Sequence, residues 1–380
     1  MPRITSSHLI VLYNMSKQLK ELMEKDIDYL TRNNKKVRIF LDVRGMFINI
    51  HQREGNQILV KAAKNNSPIY SSSVIKILNG WTSFYKQHRL EVEFVLFAEI
   101  GDSKYHAKLL NNKYKITRRI ERAKDIPQEE KSIASNYIKS ELQKLKTTFA
   151  GRGMNVTVLL SNELEIDCAP HFIINHITVN QNAYYNYIFT KDKDLVQTLD
   201  ENTAIIRKVV KGPYEKITAM NADLKMLKLH CNIDRRLFSC ALAMIGDAAD
   251  SVPGIKGCGP KSAANFLNNY TINSEIDIIE QIIEYCSNNT VPKISPRLNC
   301  DEGKKEFITS FKCIDFNTII KENFDYLNNL ITEDYMKINN SCTVYDEELQ
   351  DKIEWIKKRC MVNHKMFDEM SFYFIANNVK

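Results

Sequence analysis

Four short apolar runs, separated by helical patterns, limit the folds open to this chain more than any other feature of its sequence. The runs are VRIFLDV at 37–43, VEFVLFAEI at 92–100, MNVTVLLSN at 154–162 and YNYIFTKD at 185–192. Continuous apolar runs of this length are typical of strands buried on both faces of a sheet. Because they alternate with helical segments, as at 71–88 and 129–153, the sequence predicts an α/β fold with a largely parallel, Rossmann-like sheet.

Acidic residues stand at or just beyond the carboxyl end of each run. They are Asp42, Glu99, Glu165, Asp167, Asp192 and Asp194. Ligands of parallel sheets bind beyond the carboxyl ends of the strands, so these side chains are expected to converge. Converging carboxylates repel one another unless cations neutralise them, and oxygen ligands without a matching His or Cys pattern favour Mg²⁺ or Mn²⁺. The alternative, that several of these side chains point into water, stays open at this stage.

Length, net charge and cysteine content limit the class of protein but do not indicate a reaction. The chain has 380 residues, a net charge of +7 and nine widely scattered cysteines. A chain of this length buries a core without disulfides, and the cysteine spacing fits no zinc site. Its first apolar run is too short for a membrane span and lacks a cleavage site. We therefore expect a protein of the reducing cytoplasm, or of the host cell cytoplasm if viral, with a polyanionic partner and no membrane contact.

A glycine-rich segment at 244–267, MIGDAADSVPGIKGCGPKSAANFL, follows the predicted sheet. Glycines permit tight turns, and a turn between two helices whose backbone amides face outward binds phosphate groups. Asp247 and Asp250 are spaced to face the metal site from the same segment. The positions expected to contact nucleic acid here are Gly254, Gly257, Gly259 and Lys261.

With this segment the chain resembles the flap endonuclease and phage 5′ nuclease family, whose helix-three-turn-helix motif has the same glycine pattern. Further segments extend the resemblance over residues 37–320: FLDV at 40–43, FAEIGDSKYHAKLLNNKYKITR at 97–118, LEIDCA at 164–169, TKDKDLVQTL at 190–199 and FKCIDFNTI at 311–319. The last is similar to a late segment of the ribonuclease H of T-even bacteriophages, which we take as the nearest type within the family.

The resemblance implies a PIN-like catalytic domain at 36–220 that includes a helical arch at about 103–146. Around it we expect an N-terminal helical extension at 1–35, a helix-three-turn-helix region that binds DNA at 221–320 and a helical C-terminal region at 321–380. The resemblance also implies two Mg²⁺ or Mn²⁺ ions with the carboxylate ligands Asp42, Glu99, Glu165, Asp167, Asp192, Asp194, Asp247 and Asp250. Glu99 replaces the usual Asp of the family, which lengthens that ligand by one methylene.

Basic and aromatic residues are interleaved in the predicted arch. This pattern suits single-stranded nucleic acid, because phosphates pair with cations and bases stack on rings, although a solvated basic helix face has the same composition. The positions expected to contact nucleic acid are Lys104, Lys108, Lys113, Tyr114, Arg119 and Arg122. By resemblance, Lys115 and Arg118 engage the scissile phosphate, and the catalytic residues are Lys115, Arg118, Asp42 and Asp192.

These features predict a monomeric, structure-specific 5′ nuclease for branched, flapped or 5′-ended DNA, with RNA in an RNA–DNA hybrid as a further substrate. By resemblance, a K⁺ ion at the glycine-rich turn and a replication clamp or single-strand-binding protein are further expected partners. Two alternatives stay open: a PIN-like endoribonuclease, which lacks the glycine-rich module, and a catalytically inactive DNA-binding protein on the same fold.

Overall fold

The computed structural model describes residues 17–43, 53–111, 113, 115, 126–149, 155–178, 180–209, 212–222, 233, 237–248, 250–270 and 278–331. The strands are β1 (Lys36–Asp42), β2 (Val92–Glu99), β3 (Val156–Ser161), β4 (Tyr184–Phe189), β5 (Thr203–Lys208) and β6 (Tyr214–Ile217). The first five helices are α1 (Lys17–Arg32), α2 (Arg53–Lys64), α3 (Ile69–Gln87), α4 (Lys104–Leu109) and α5 (Gln128–Phe149). The next four are α6 (Ala169–Phe172), continued by a π-helical turn Ile173–Ile177, α7 (Phe238–Ile245), α8 (Pro260–Asn268) and α9 (Ile278–Asn288). The last four are α10 (Ser295–Leu298), α11 (Asp301–Ile314), α12 (Phe316–Glu322) and α13 (Phe324–Ile331).

The six strands form one sheet in the order β3-β2-β1-β4-β5-β6. Neighbouring strands pair in parallel from β3 through to β5, and only β6 runs antiparallel, against β5. The predicted α/β fold with a largely parallel sheet is therefore confirmed. The sequence analysis did not identify β5 and β6, and it extended β4 too far, since that strand ends at Phe189 before the acidic residues.

Helices cover both faces of the sheet because β1 is apolar on both sides. Val37, Ile39 and Leu41 belong to one core, packed with α1, α2, α3 and α5, while Phe40 belongs to the other. The second core continues without a break through the helices α7 to α13. The predicted region 221–320 therefore shares its core with the sheet, and the division at residue 220 remains a prediction.

Parts of the predicted segments fall outside the described residues. Helix α1 accounts for half of the predicted extension at 1–35, and α4 and α5 lie at either end of the predicted arch. Residues 116–125 of the arch and 332–380 of the C-terminal region are outside the described part of the chain. None of the described helices combines the length and apolar character needed to cross a bilayer.

Candidate active site

The carboxyl ends of β1 and β4 meet where the order of the strands reverses, because β2 and β3 are added on one side of β1 and β4 and β5 on the other. Ligands of open α/β sheets bind in the crevice at this point. Asp42 is the last residue of β1 and Glu99 is the last residue of β2. Asp192 follows β4, so the topology brings carboxylates from three strands to one edge of the sheet.

Six of the eight predicted ligands line one small cavity at this edge, namely Glu165, Asp167, Asp192, Asp194, Asp247 and Asp250. Its volume is about 30 Å³. A water-sized sphere needs roughly 10–15 Å³ on this measure, so the cavity has room for about two. Asp42 and Glu99 do not line it, but both lie close enough to raise the pKa of Asp167.

Backbone hydrogen bonds hold two pairs of these carboxylates in tight turns. The amide of Asp194 donates to Asp192 Oδ1 at 2.9 Å, and the amide of Asp192 donates to Thr190 Oγ1 at 3.0 Å. In the glycine-rich segment, the amide of Asp250 donates to the carbonyl oxygen of Asp247 at 3.2 Å. Both acidic pairs are therefore held by the local backbone rather than by chance packing.

Burial and mutual repulsion raise the pKa values of the innermost carboxyl groups. Burial is the largest cause at Asp167, Asp192 and Asp194, and the charge of Asp192 raises the pKa values of Asp167 and Asp194 further. The positive charges of Lys115 and Lys193 lower the pKa values of Asp192 or Asp194, but they do not outweigh burial and repulsion. Bound cations would supply further positive charge and restore the ionised forms.

Two lysines supply part of the missing charge. Lys115 Nζ donates a hydrogen bond to Glu165 Oε1 and lies 3.7 Å from Glu99 Oε1. Its amide also donates to the carbonyl oxygen of Asp250 at 3.0 Å, which ties the start of the arch to the glycine-rich segment. Burial acts to lower the pKa of Lys115, but Glu165 and Glu99 outweigh it and the pKa is raised. Lys193 Nζ lies 3.0 Å from Asp247 Oδ2.

The donor set fits divalent cations that prefer oxygen. All eight predicted metal ligands are Asp or Glu, and carboxylate oxygens are ligands that suit Mg²⁺ and Mn²⁺. Asp194 Oδ1 is buried without a hydrogen-bond partner, an expensive arrangement that a cation would relieve. Among the described residues, no three acidic, imidazole or thiol side chains already converge on one metal position.

Sequence reasoning missed three residues that hold this site together. Gln197 donates to the carbonyl oxygens of Asp194 at 3.0 Å and Ile314 at 2.9 Å, which fixes the turn after β4 against α11. His106 bonds through Nε2 to the carbonyl oxygen of Cys313 at 2.9 Å, so α4 is also fixed to α11. Two of the three left a signal in the sequence: Lys193 lies between two predicted ligands, and Gln197 belongs to the segment TKDKDLVQTL.

The arch predictions divide into exposed and buried residues. Lys104, Lys108 and Lys113 are exposed, as contact with nucleic acid requires, and Lys104 is paired with Glu163 at 2.6 Å. Tyr105 and His106 instead pack toward α11, where the Tyr105 hydroxyl donates to the carbonyl oxygen of Lys312 at 3.0 Å. They are placed for structural contacts rather than for base stacking. Tyr114, Arg118, Arg119 and Arg122 lie outside the described residues.

The four predicted positions of the glycine-rich turn have different surroundings. Gly254 is buried, its amide donates to Ser310 Oγ at 3.1 Å, and a Cβ there would meet the backbone of Ile245 and Gly246 at 2.7 Å. This glycine serves close packing, and its amide is turned away from solvent. Gly257 and Gly259 border open space, and Lys261 is exposed in the first turn of α8. A phosphate contact stays a prediction for all four positions, of which Gly257, Gly259 and Lys261 border solvent.

Relatives with similar sequences match only parts of this chain. A segment of 105 residues is 32% identical to DNA polymerase I of Borreliella burgdorferi and covers 27% of this chain and 11% of that protein. A segment of 91 residues is 31% identical to a 5′-3′ exonuclease of Aquifex aeolicus, with coverage of 24% and 29%. The 5′-3′ exonuclease of Mycoplasmopsis pulmonis is 25% identical over 133 residues, with coverage of 34% and 40%. These matches span less than half of each relative, and no protein-family model matches the chain.

Solved structures match over most of the chain. The bacteriophage T5 5′-exonuclease with bound divalent zinc ions superposes with a TM-score of 0.53 and 17% identity, covering 84% of this chain and 99% of that one. The fold is that of the 5′ nucleases. A bacteriophage T5 flap endonuclease complex with DNA and metal ions gives a TM-score of 0.52 and 16% identity, with coverage of 85% and 100%. The resemblance to this family expected from the sequence motifs is thereby confirmed.

Proposed function

We propose that this chain is a structure-specific 5′ nuclease that hydrolyses phosphodiester bonds in branched, flapped or 5′-ended DNA with two divalent cations. The observation that carries the proposal is the convergence of carboxylates from three separate segments on one cavity with room for about two water-sized spheres. A structural ion-pair network would balance its charges, whereas this cluster leaves the innermost acids with raised pKa values.

The carboxylates would hold Mg²⁺ or Mn²⁺, and the cations would lower the pKa of the attacking water and neutralise the leaving oxygen. Asp192 and Asp194 present their oxygens from a turn fixed by its own amides, so these ligands need little reorganisation. The Lys115 ammonium lies between Glu165 and Glu99 in the same cluster, within reach of a phosphate bound by the ions. We assign to it, together with Arg118, the role of offsetting the charge that develops on the phosphate oxygens.

The exposed lysines of the arch and the open turn at Gly257 and Gly259 would hold the substrate. Lys104, Lys108 and Lys113 offer charge to a single strand, and the turn offers backbone amides to the phosphates of a duplex. Specificity of this kind is for the shape of the substrate rather than for its sequence. We further propose that the turn binds a K⁺ ion and that RNA–DNA hybrid is a second substrate. We also propose that the protein is a monomer whose partner is a replication clamp or a single-strand-binding protein.

Cleavage of end-labelled substrates across a Mg²⁺ series tests the proposal. We expect cutting at the junction of a 5′ flap, release of products with 5′ phosphates, and loss of cleavage in Asp192→Asn with binding retained. The matched control is Asp28→Asn, which removes the same charge from the exposed face of α1. Cleavage of flap DNA by Asp192→Asn at the parental rate would refute the assigned site.

The same substrates separate the two rival functions. A PIN-like endoribonuclease would cut single-stranded RNA and leave the DNA flap intact. An inactive DNA-binding protein would bind the flap without cutting it at any metal concentration. The glycine-rich turn favours the nuclease over the endoribonuclease, and the retained carboxylates favour it over the inactive protein.

A further inference from the structure

The pairing of β1 with its neighbours stops at Asp42. Strand β1 pairs with β4 as far as Leu41 and with β2 as far as Asp42. The next residue, Val43, lies in a turn, and its amide donates to the carbonyl oxygen of Phe97 in β2 at 3.1 Å. The register of the sheet therefore ends at Asp42, and contacts from outside the sheet have to fix the chain that follows it.

The Tyr70 hydroxyl supplies such a contact. It donates to the carbonyl oxygen of Val43 at 2.7 Å, and the two residues are 1% and 0% exposed. Water does not replace a hydrogen bond that is lost at so buried a position, so the carbonyl oxygen depends on this one donor from outside the sheet. Asp42 thus lies between Leu41, which pairs with strands on both sides, and Val43, which is held through both its amide and its carbonyl group.

Tyr70 is itself held by α5, the helix at the far end of the predicted arch. It is the second residue of α3, which begins after Pro68 without a side-chain cap of its own, although the first amides of a helix need acceptors. The Tyr137 hydroxyl of α5 accepts a hydrogen bond from the amide of Tyr70 at 3.5 Å. Glu141 Oε2, one turn further along α5, accepts from the amide of Ser71 at 3.4 Å. Side chains of α5 therefore cap the start of α3.

Glu141 gives this cap its strength. The residue is 1% exposed, and Ser71 Oγ donates a second hydrogen bond to its Oε2 at 2.7 Å. Lys144 Nζ donates to Oε1 at 2.8 Å and balances the charge. A carboxylate at the N-terminus of a helix also interacts favourably with the helix dipole. The start of α3 is therefore fixed against α5, and the Tyr70 hydroxyl is fixed with it.

We propose that Tyr70 is a positioning residue for metal binding, whose hydroxyl fixes the turn at Val43 and thereby the direction from which Asp42 meets the cations. This rests on the proposed function, because it takes Asp42 to be a metal ligand. Tyr70 is buried and its hydroxyl is bonded to Val43, so it acts through Asp42 rather than by contact with the ions or the DNA. Removing a group that orients a ligand typically costs about 10–100-fold in metal affinity. The lower end applies here, because Tyr70 orients the backbone rather than the carboxylate.

Titration of the full-length protein with Mn²⁺, followed by electron paramagnetic resonance, tests this role. Tyr70→Phe keeps the ring in the core and removes only the hydroxyl, and we expect the Kd for Mn²⁺ to rise about tenfold. Cleavage of a labelled flap should slow at limiting Mg²⁺ and recover in excess Mg²⁺, while the affinity for the flap in Ca²⁺ stays unchanged. A merely structural role would lower the melting temperature and leave the metal dependence as it is in the parent.

Three further variants locate the effect. Tyr187→Phe is the matched control, since Tyr187 is 0% exposed and its hydroxyl also donates a 2.7 Å hydrogen bond, but to Asp26 of α1; it should leave the Kd for Mn²⁺ unchanged. In an Asp42→Asn background, Tyr70→Phe should not raise the Kd further, because the ligand that it orients has already lost its charge. Tyr137→Phe removes the acceptor of the Tyr70 amide and should raise the Kd about two- to fivefold. This last variant carries the test if Tyr70→Phe does not fold.

The outcomes separate this role from the nuclease function itself. An unchanged Kd in Tyr70→Phe, or in Tyr137→Phe if it takes its place, would overturn the role of Tyr70 alone, as would an equal rise in Tyr187→Phe. A rise that persists undiminished in the Asp42→Asn background would also overturn it, because Tyr70 would then act through a different ligand. Absence of Mn²⁺ binding by the parent chain would overturn the proposed function together with this role.

Discussion

Replacing Lys115 by Met should strengthen metal binding while it slows cleavage. In the structure the Lys115 ammonium bonds to Glu165 and lies 3.7 Å from Glu99, so it occupies part of the space and charge that an ion would use. An ion that takes these carboxylates must first displace the ammonium. The free energy of that displacement makes the free energy of metal binding less favourable by the same amount.

The size of the effect follows from the contacts that are lost. A hydrogen bond between charged groups contributes about 1.5–3 kcal/mol, and each 1.4 kcal/mol is a factor of about ten in an equilibrium constant. Lys115→Met should therefore lower the Kd for the metal by about ten- to 150-fold. The rate of a single turnover should fall by about 10²–10³, because the cation no longer offsets charge in the transition state.

Mn²⁺ binding followed by electron paramagnetic resonance measures the first quantity, and quenched-flow cleavage of a labelled flap measures the second. Lys36→Met is the matched control, because Lys36 pairs with Glu91 at 2.7 Å on the exposed surface at the amino end of β1. It should change neither quantity by more than about twofold. Weaker or unchanged Mn²⁺ binding in Lys115→Met would refute displacement and leave Lys115 as a fixed structural partner of Glu165.

Three further predictions concern the site. Asp194→Asn should abolish cleavage in Mg²⁺. It should also raise the melting temperature of the metal-free protein, because burial raises the pKa of Asp194 and so disfavours its charged form, which Asn cannot adopt. A lower melting temperature would contradict this. Gly259→Ala should weaken duplex binding and spare single-strand binding, since a Cβ there meets open space in the protein and only a bound backbone would feel it; equal loss on both substrates would contradict this. Glu99→Gln should slow cleavage at low Mg²⁺ with partial rescue by excess metal, whereas Glu99→Asp should stay active; parental rates in Glu99→Gln would point to nearby Asp102 as the ligand.

The sheet and its acidic edge were predictable because both depend on local patterns. A continuous apolar run marks a buried strand, and parallel strands end at one edge, so Asp42 and Glu99 were placed without tertiary information. Strand β6 has only four residues, and in β5 the apolar run Ala204–Ile206 is cut short by Arg207 and Lys208. Strand β5 pairs with β4 and β6 pairs with β5, and no local pattern records either pairing.

Contacts between distant segments were not predictable. His106 lies in a six-residue helix, and nothing in that segment reveals that it meets Cys313, which is 207 positions further along the chain. Gly254 resembles any other turn glycine until Ser310 is seen to bind its amide. Arg38 did leave a signal, since a charged residue inside an apolar strand requires a partner, and Glu93 stands directly opposite in the register of β1 and β2.

The last prediction concerns α1, which the sequence suggested to be an extension and which the structure packs into the core of the sheet. Leu19, Met23 and Leu30 are fully buried there. Asp26 accepts hydrogen bonds from the Tyr187 hydroxyl at 2.7 Å and from Lys216 Nζ at 2.6 Å, so it joins the helix to β4 and β6.

Asp26→Asn should therefore lower the free energy of unfolding by about 1–3 kcal/mol, because a partly buried lysine loses its charged partner. The melting temperature should fall by roughly 1–2 °C for each kcal/mol in a chain of this size, because the entropy of unfolding grows with chain length. Asp28→Asn, on the same helix, breaks only an exposed 3.8 Å pair with Arg32 and should change the melting temperature by less than about 1 °C. Calorimetry of the two variants distinguishes the two interpretations of α1. Equal melting temperatures would mean that α1 is an appended segment. A lower melting temperature in Asp26→Asn alone would mean that α1 is part of the fold that carries the carboxylate cluster.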